Sequence, residues 1–161
     1  MGKTGYPGAQ ALIELHEIHL RSFMAEWRTA KENHLGLPET TDQAYRSLET
    51  LLIHVLDCAF RYISWTADAL ELSPPVRPEF PGEDVIEAEA DRLLDSILQA
   101  WRLQLSDLPL EAFVTGEHKA WWGTRYCVDA MLEHAVMHPL RHEWQLKKLW
   151  SKNQEGPSHF P

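Results

Sequence analysis

Cysteine is scarce in this chain. Cys58 and Cys127 are the only two, and no C-x-x-C pair occurs. That excludes a disulfide framework or a thiolate zinc knuckle and fits a reducing cytosol, so a cytoplasmic protein is expected. No apolar run reaches the roughly 20 residues that a membrane helix needs, and the first residues show no signal-peptide core. Positive charge is thin as well: 15 Lys and Arg stand against 24 Asp and Glu, for a net charge of −9. With no basic arm or patch, a nucleic-acid backbone would be repelled rather than recruited. Glycine is sparse within the periodic segments, and there is no internal repeat or low-complexity tract.

What is present points to helices. A chain of 161 residues with 44% hydrophobic content can close one domain around a real core. Four stretches carry apolar residues at helical spacing, separated by breaks that contain proline or glycine. The expected helices lie near residues 9–33, 40–70, 83–105 and 124–150. Together they predict an all-α fold, an antiparallel four-helix bundle in a single domain spanning 1–161, with a frayed tail at about 152–161.

In the first helix Leu12, Ile13, Leu20, Phe23, Met24 and Trp27 share one side. His16 lies near the centre of that side and His19 at its rim. A neutral, hydrogen-bonded core histidine is the simpler reading of His16, with a place beside a metal as the alternative. Gly36 and Pro38 end this helix. The second is expected to start at Thr40 or Thr41, where a hydroxyl can cap free amides. Ala44, Leu48, Leu51, Leu52, Val55, Ala59 and Tyr62 form its apolar face. His54 falls on the flank of that face, beside Cys58, Arg61 and Trp65, where a crevice between helices would open.

The four prolines of SPPVRPEFPG, residues 73–82, exclude helix there and predict a long surface connection. The carboxylates of the third helix read as a solvated outer face. Residues 106–124 read as a second long connection, with a short extended pair around Phe113 and Ala120. Trp121 and Trp122 are expected to line a pocket mouth, a subunit contact or the end of the bundle.

The fourth helix holds the sequence that organises the rest, MLEHAVMHPLRHEWQL. His134, His138 and His142 follow one another at four-residue intervals, which puts each one turn above the last. On the helical wheel Val128, Met131, Ala135, Leu146 and Leu149 form the apolar arc. His142 falls inside it, His138 and Gln145 at its edge, and His134 points toward solvent. His138 and His142 are therefore the expected metal pair, with His54 as third ligand. Pro139 should kink the helix next to the pair. Glu143 lies on the far side of the wheel, so no general base is in view.

The helix-two run LLIHVLDCAFRYISW and the fourth-helix run EHAVMHPLRHEWQL together resemble the DinB/YfiT-like metalloenzyme family. The resemblance covers most of the chain and implies a four-helix bundle with a long crossover. It also implies a divalent metal held by His54, His138 and His142, with Gln145 following. Pro139 departs from the commoner versions of that motif. The implied chemistry is a thiol-dependent S-transferase or isomerase acting on a small-molecule substrate, with a low-molecular-weight thiol as cosubstrate. Zinc or nickel would serve such a site, with iron as a further option. A metal-dependent hydrolase and a non-catalytic binding or dimerisation module are the alternatives. Seven tryptophans exceed what a small bundle core needs, which favours a homodimer.

Overall fold

The computed structural model describes residues 6–105 and 108–154. Four long helices carry the structure: α1 Pro7–Glu32, α2 Leu48–Ala69, α3 Ile86–Leu105 and, last in the chain, α5 Val128–Gln154. Between the last two lie a one-turn helix α4, Leu110–Val114, and a hairpin of β1 His118–Lys119 with β2 Arg125–Tyr126. The strands are antiparallel, with His118 opposite Tyr126. The protein is thus mainly helical, as the apolar periodicity predicts. Among the described residues, no helix is long and apolar enough to cross a membrane. The expected tail lies mostly outside the described residues, although α5 runs on to Gln154.

Two boundaries differ from expectation in a way that matters. α2 does not begin at Thr40 or Thr41 but at Leu48, where Ser47 and Thr50 form a reciprocal capping box. The Ser47 hydroxyl accepts from the Thr50 amide at 3.0 Å, and the Thr50 hydroxyl accepts from the Ser47 amide at 2.9 Å. Both donors would otherwise be orphans of the first turn. The earlier hydroxyl cluster instead starts a separate 3-10 turn, Gln43–Tyr45, capped by Asp42, whose carboxylate accepts from the Ala44 amide at 3.0 Å. Replacing Ser47 by Ala should cost about 1 kcal/mol in urea unfolding. An unchanged midpoint would mean that the box contributes nothing.

The expected extended pair is also shifted. Phe113 is not extended; it sits fully buried in α4, and the strand pairing lies beyond it in the hairpin. Trp65 of α2 ties the hairpin down by donating its indole N–H to the Lys119 carbonyl at 3.0 Å.

Neighbouring helices do not all alternate in direction. Ser47, just before α2, meets Glu83, just before α3, while the Ala59 carbonyl accepts from the Trp101 indole of α3 at 3.0 Å. α2 and α3 therefore run the same way. α1 runs against α3, since Arg28 pairs with Asp91 at 2.8 Å and Arg102 pairs with Glu17. α2 runs against α5, with Tyr45 meeting Gln145 and Tyr62 meeting His134. The antiparallel expectation thus fails for α2 with α3, and also for α1 with α5, where Tyr6 lies beside Asp129 and Phe23 meets His142. A parallel pair needs a return connection as long as the helix itself. The 22 residues of α2 span about 33 Å, and residues 70–85, extended by their prolines, reach about 50 Å. The proline-rich segment is what permits the arrangement.

The core fills the space between these helices, with Trp27, Trp101, Phe23 and Phe113 among its largest fully buried side chains. Trp27 donates to the Leu48 carbonyl at 2.6 Å, so the buried indole leaves no orphan N–H. The α3 carboxylates lie on an exposed face as expected, with Asp91 and Asp95 also reaching Arg28 and Arg21 of α1.

Candidate metal centre

α2 and α5 bring His54, His138 and His142 together, each offering a ring nitrogen within 4.8 Å of the others. The four-residue spacing on α5 sets His138 and His142 edge to face, with ring centroids 4.7 Å apart. α5 is helical without a break through Pro139, so the proline does not separate the pair. His54 crosses from α2, its Nε2 lying 3.2 Å from Nε2 of His138. Two imidazoles bound to one tetrahedral ion at 2.0–2.1 Å would hold their nitrogens about 3.3–3.4 Å apart. The observed separation fits that donor set.

Burial keeps these lone pairs available. His138 and His142 are each only 7% exposed, and His54 is half-buried. Burial, aided by the mutual repulsion of His142 and His54, pushes the His138 imidazole down to about 2. Burial likewise lowers His142, to about 4, and lowers His54. All three are neutral at pH 7, the form in which an imidazole can ligate.

The surrounding contacts fix ring orientation. Tyr45, delivered by the 3-10 turn, lies with its hydroxyl 2.9 Å from Nδ1 of His142 and donates its proton to Oε1 of Gln145. A hydroxyl has one proton to give, so the contact with His142 requires a proton on Nδ1. The lone pair of His142 is thereby assigned to Nε2. Burial pushes the Tyr45 phenol up to about 12, so it stays a neutral hydroxyl. Phe23 of α1 closes an edge of the His142 ring at 6.5 Å. Cys58, one turn beyond His54, places Sγ 3.8 Å from its Nδ1, and burial raises that thiol to about 11.

Second-sphere partners of metal-bound histidines typically matter 10–100-fold for affinity. Replacing Tyr45 by Phe should weaken zinc binding by about that factor without changing its stoichiometry. A competition titration against a chromophoric chelator reads this directly, and an unchanged affinity would rule out the orienting role.

Other expected residues fall elsewhere. His134 does not join the cluster, but neither does it point to solvent. The hairpin covers it, and its ring stacks on Trp122 at 5.0 Å and 26°. His16 is fully buried in the core, its ring centroid 4.2 Å from that of Trp101 in a tilted arrangement, and it does not join the cluster. Among the described residues neither of its ring nitrogens has a hydrogen-bond partner, contrary to the hydrogen-bonded core histidine expected there. Glu143 is buried at 6% exposure but pairs with Lys147 away from the imidazoles, as its place on the wheel implies. Among the described residues no carboxylate hydrogen-bonds any of the three rings. Trp121 and Trp122 remain 43% and 38% exposed, with Trp121 packed on Tyr62 and Tyr62 on His138.

Tyr45 and Cys58 are the residues that the sequence under-reported. Tyr45 reaches His142 across 97 positions, a contact that no local pattern encodes. Cys58 carries a fainter signal, since it follows His54 at helical spacing. No family model, curated protein or solved structure matches the chain, so what these three histidines do is argued from their geometry.

Proposed function

We propose that this chain is a metalloprotein of the DinB-like kind, a four-helix bundle in which His54, His138 and His142 hold one divalent ion. The convergence of three neutral imidazoles on one point carries the reading. Zinc or nickel suits an all-nitrogen set of this kind, and iron is admissible. Once bound, such an ion lowers the pKa of a water or thiol in its open position.

Within that reading, thiol-dependent transfer or isomerisation is favoured over hydrolysis. Three neutral imidazoles leave the charge of a divalent ion uncompensated, which favours an anionic partner such as a thiolate. Hydrolysis is better served by a positioned base, and the groups touching the rings are a phenol, a thiol and an amide. The chain's own residues have clear parts in this scheme. His54 and His138 face each other, Tyr45 and Gln145 fix the tautomer of His142, and Tyr62 with Trp121 packs beside His138.

Elemental analysis of protein purified without a metal-affinity tag should give about one divalent ion per chain. A metal-free protein that also fails to take up added zinc would overturn the reading. Cobalt-substituted protein separates the reaction classes. A small thiol should add a thiolate-to-cobalt charge-transfer band, and a spectrum unmoved by thiol would remove the transferase proposal.

A further inference from the structure

On the outer side of Tyr45 the structure has a cavity of about 380 Å³, lined by the 3-10 turn and the last turns of α5. The size is that of a small-molecule site. Trp144, Lys148, Leu149 and Lys152 contribute from α5, while Tyr45 and Gln145 belong both to this cavity and to the support of His142. Because Tyr45 contacts Nδ1 and the assigned lone pair is on Nε2, the cavity lies behind the ring and not at the open metal position.

The lining specifies a ligand chemistry. Lys148 and Lys152 are one helical turn apart, close enough for one anion to meet both. Neither forms an ion pair among the described residues, whereas Lys147 next to them is taken by Glu143. Trp144 leaves 56% of its surface exposed, and the Lys148 ammonium lies 4.7 Å from its ring centroid. An exposed indole beside two ammoniums that form no ion pair among the described residues suits a flat apolar body that carries an acid group. The one carboxylate in the lining, Asp42, is already engaged in capping Ala44, and it disfavours a second acid group near the turn.

We infer that this cavity binds a small aromatic carboxylate and that its occupancy is linked to metal affinity through Tyr45. The linkage rests on the metal reading proposed above. An anion held by Lys148 and Lys152 lies further along α5 than His142, with Tyr45 and Gln145 between, and its negative charge favours a cation at Nε2 through space. The coupling is therefore positive, and by reciprocity each ligand strengthens the other by the same factor, about fivefold.

The test is calorimetric titration of the full chain with 2-naphthoate, first metal-free and then zinc-loaded. The expected result is one site per chain with a dissociation constant below about 1 mM when metal-free, tightened about fivefold by zinc. The double substitution Lys148→Gln and Lys152→Gln, at exposed positions, should weaken metal-free binding at least tenfold. In Tyr45→Phe, whatever its metal-free constant, saturating zinc should no longer tighten naphthoate. No metal-free binding overturns the site. Binding that needs zinc and survives loss of both lysines places the acid on the metal and also overturns it. A chain that takes no zinc defeats the linkage together with the metal reading, while the acid site then stands or falls on the metal-free titration.

Discussion

Replacing His142 by Ala should reduce zinc affinity by more than about 100-fold, beyond what loss of a second-sphere partner causes. Two imidazoles would remain, and the Tyr45–Gln145 pair would have nothing to orient. His134→Ala should leave both stoichiometry and affinity unchanged, because its ring stacks on Trp122 outside the cluster. The two positions lie on the same helix at related spacing, so the comparison controls for effects on α5 itself. Chelator competition on both variants, with circular dichroism to verify that each is folded, decides the matter. Equal losses would show that the wrong histidines have been assigned to the metal.

The second large effect concerns acid. Burial, reinforced by the charge of His19, pushes His16 down to about 3, against an ordinary value near 6.5. The folded state thus refuses a proton that the unfolded chain accepts. Above pH 6.5 both states are neutral at this site and no penalty arises. As pH falls from 6.5 toward 3 the unfolded state gains a proton alone, and stability drops by up to about 1.4 kcal/mol per pH unit. Between pH 7.5 and pH 5 His16 should therefore remove about 2 kcal/mol from the metal-free protein.

His16→Leu should erase that share of the acid sensitivity. It should also stabilise the protein at neutral pH, since both buried ring nitrogens lack partners and each orphan costs about 1–3 kcal/mol. Urea unfolding of the two proteins at both pH values measures the difference. His138 and His142 titrate in both proteins and cancel from the comparison. A variant that loses as much stability as the parent on acidification would refute the assignment.

Much of the cluster is legible without coordinates. The spacing of His138 and His142 and the flank position of His54 follow from helical periodicity alone. A wheel drawn for an isolated helix cannot show what covers it, however, and so His134 read as solvent-facing although Trp122 and Tyr126 of the hairpin pack on it. The start of α2 had two competing signals, Thr40–Thr41–Asp42 and Ser47–Thr50, each with hydroxyls able to cap. The second wins with Glu83 bonded to Ser47 from across the molecule, and that choice is what frees Tyr45 to reach His142.

The ends of α1 and α2, expected near 33 and 70, fall at Glu32 and Ala69, although the residues that close them are not glycine. α1 and α2 are followed by His34 and Glu71 in the left-handed region, at φ 54° and 53°, where glycine is the usual marker. An apolar stripe also has no direction. The parallel course of α2 and α3 is recorded only in the length and proline content of residues 70–85. Burial of His16 was readable from its place on the stripe. Its lack of partners was not, because it depends on Trp101 and the other apolar groups brought in by distant segments.

The contact between His54 and His138 joins positions 84 residues apart. During synthesis at about 5–20 residues per second, α2 leaves the ribosome several seconds to some seventeen seconds before α5 can follow. Throughout that interval His54 has no partner histidine, and a metal ion meets a single weak donor. Loading of the complete three-histidine site therefore waits for the docking of α5. A pulse of metal given to nascent chains should leave them empty, whereas the released protein should fill.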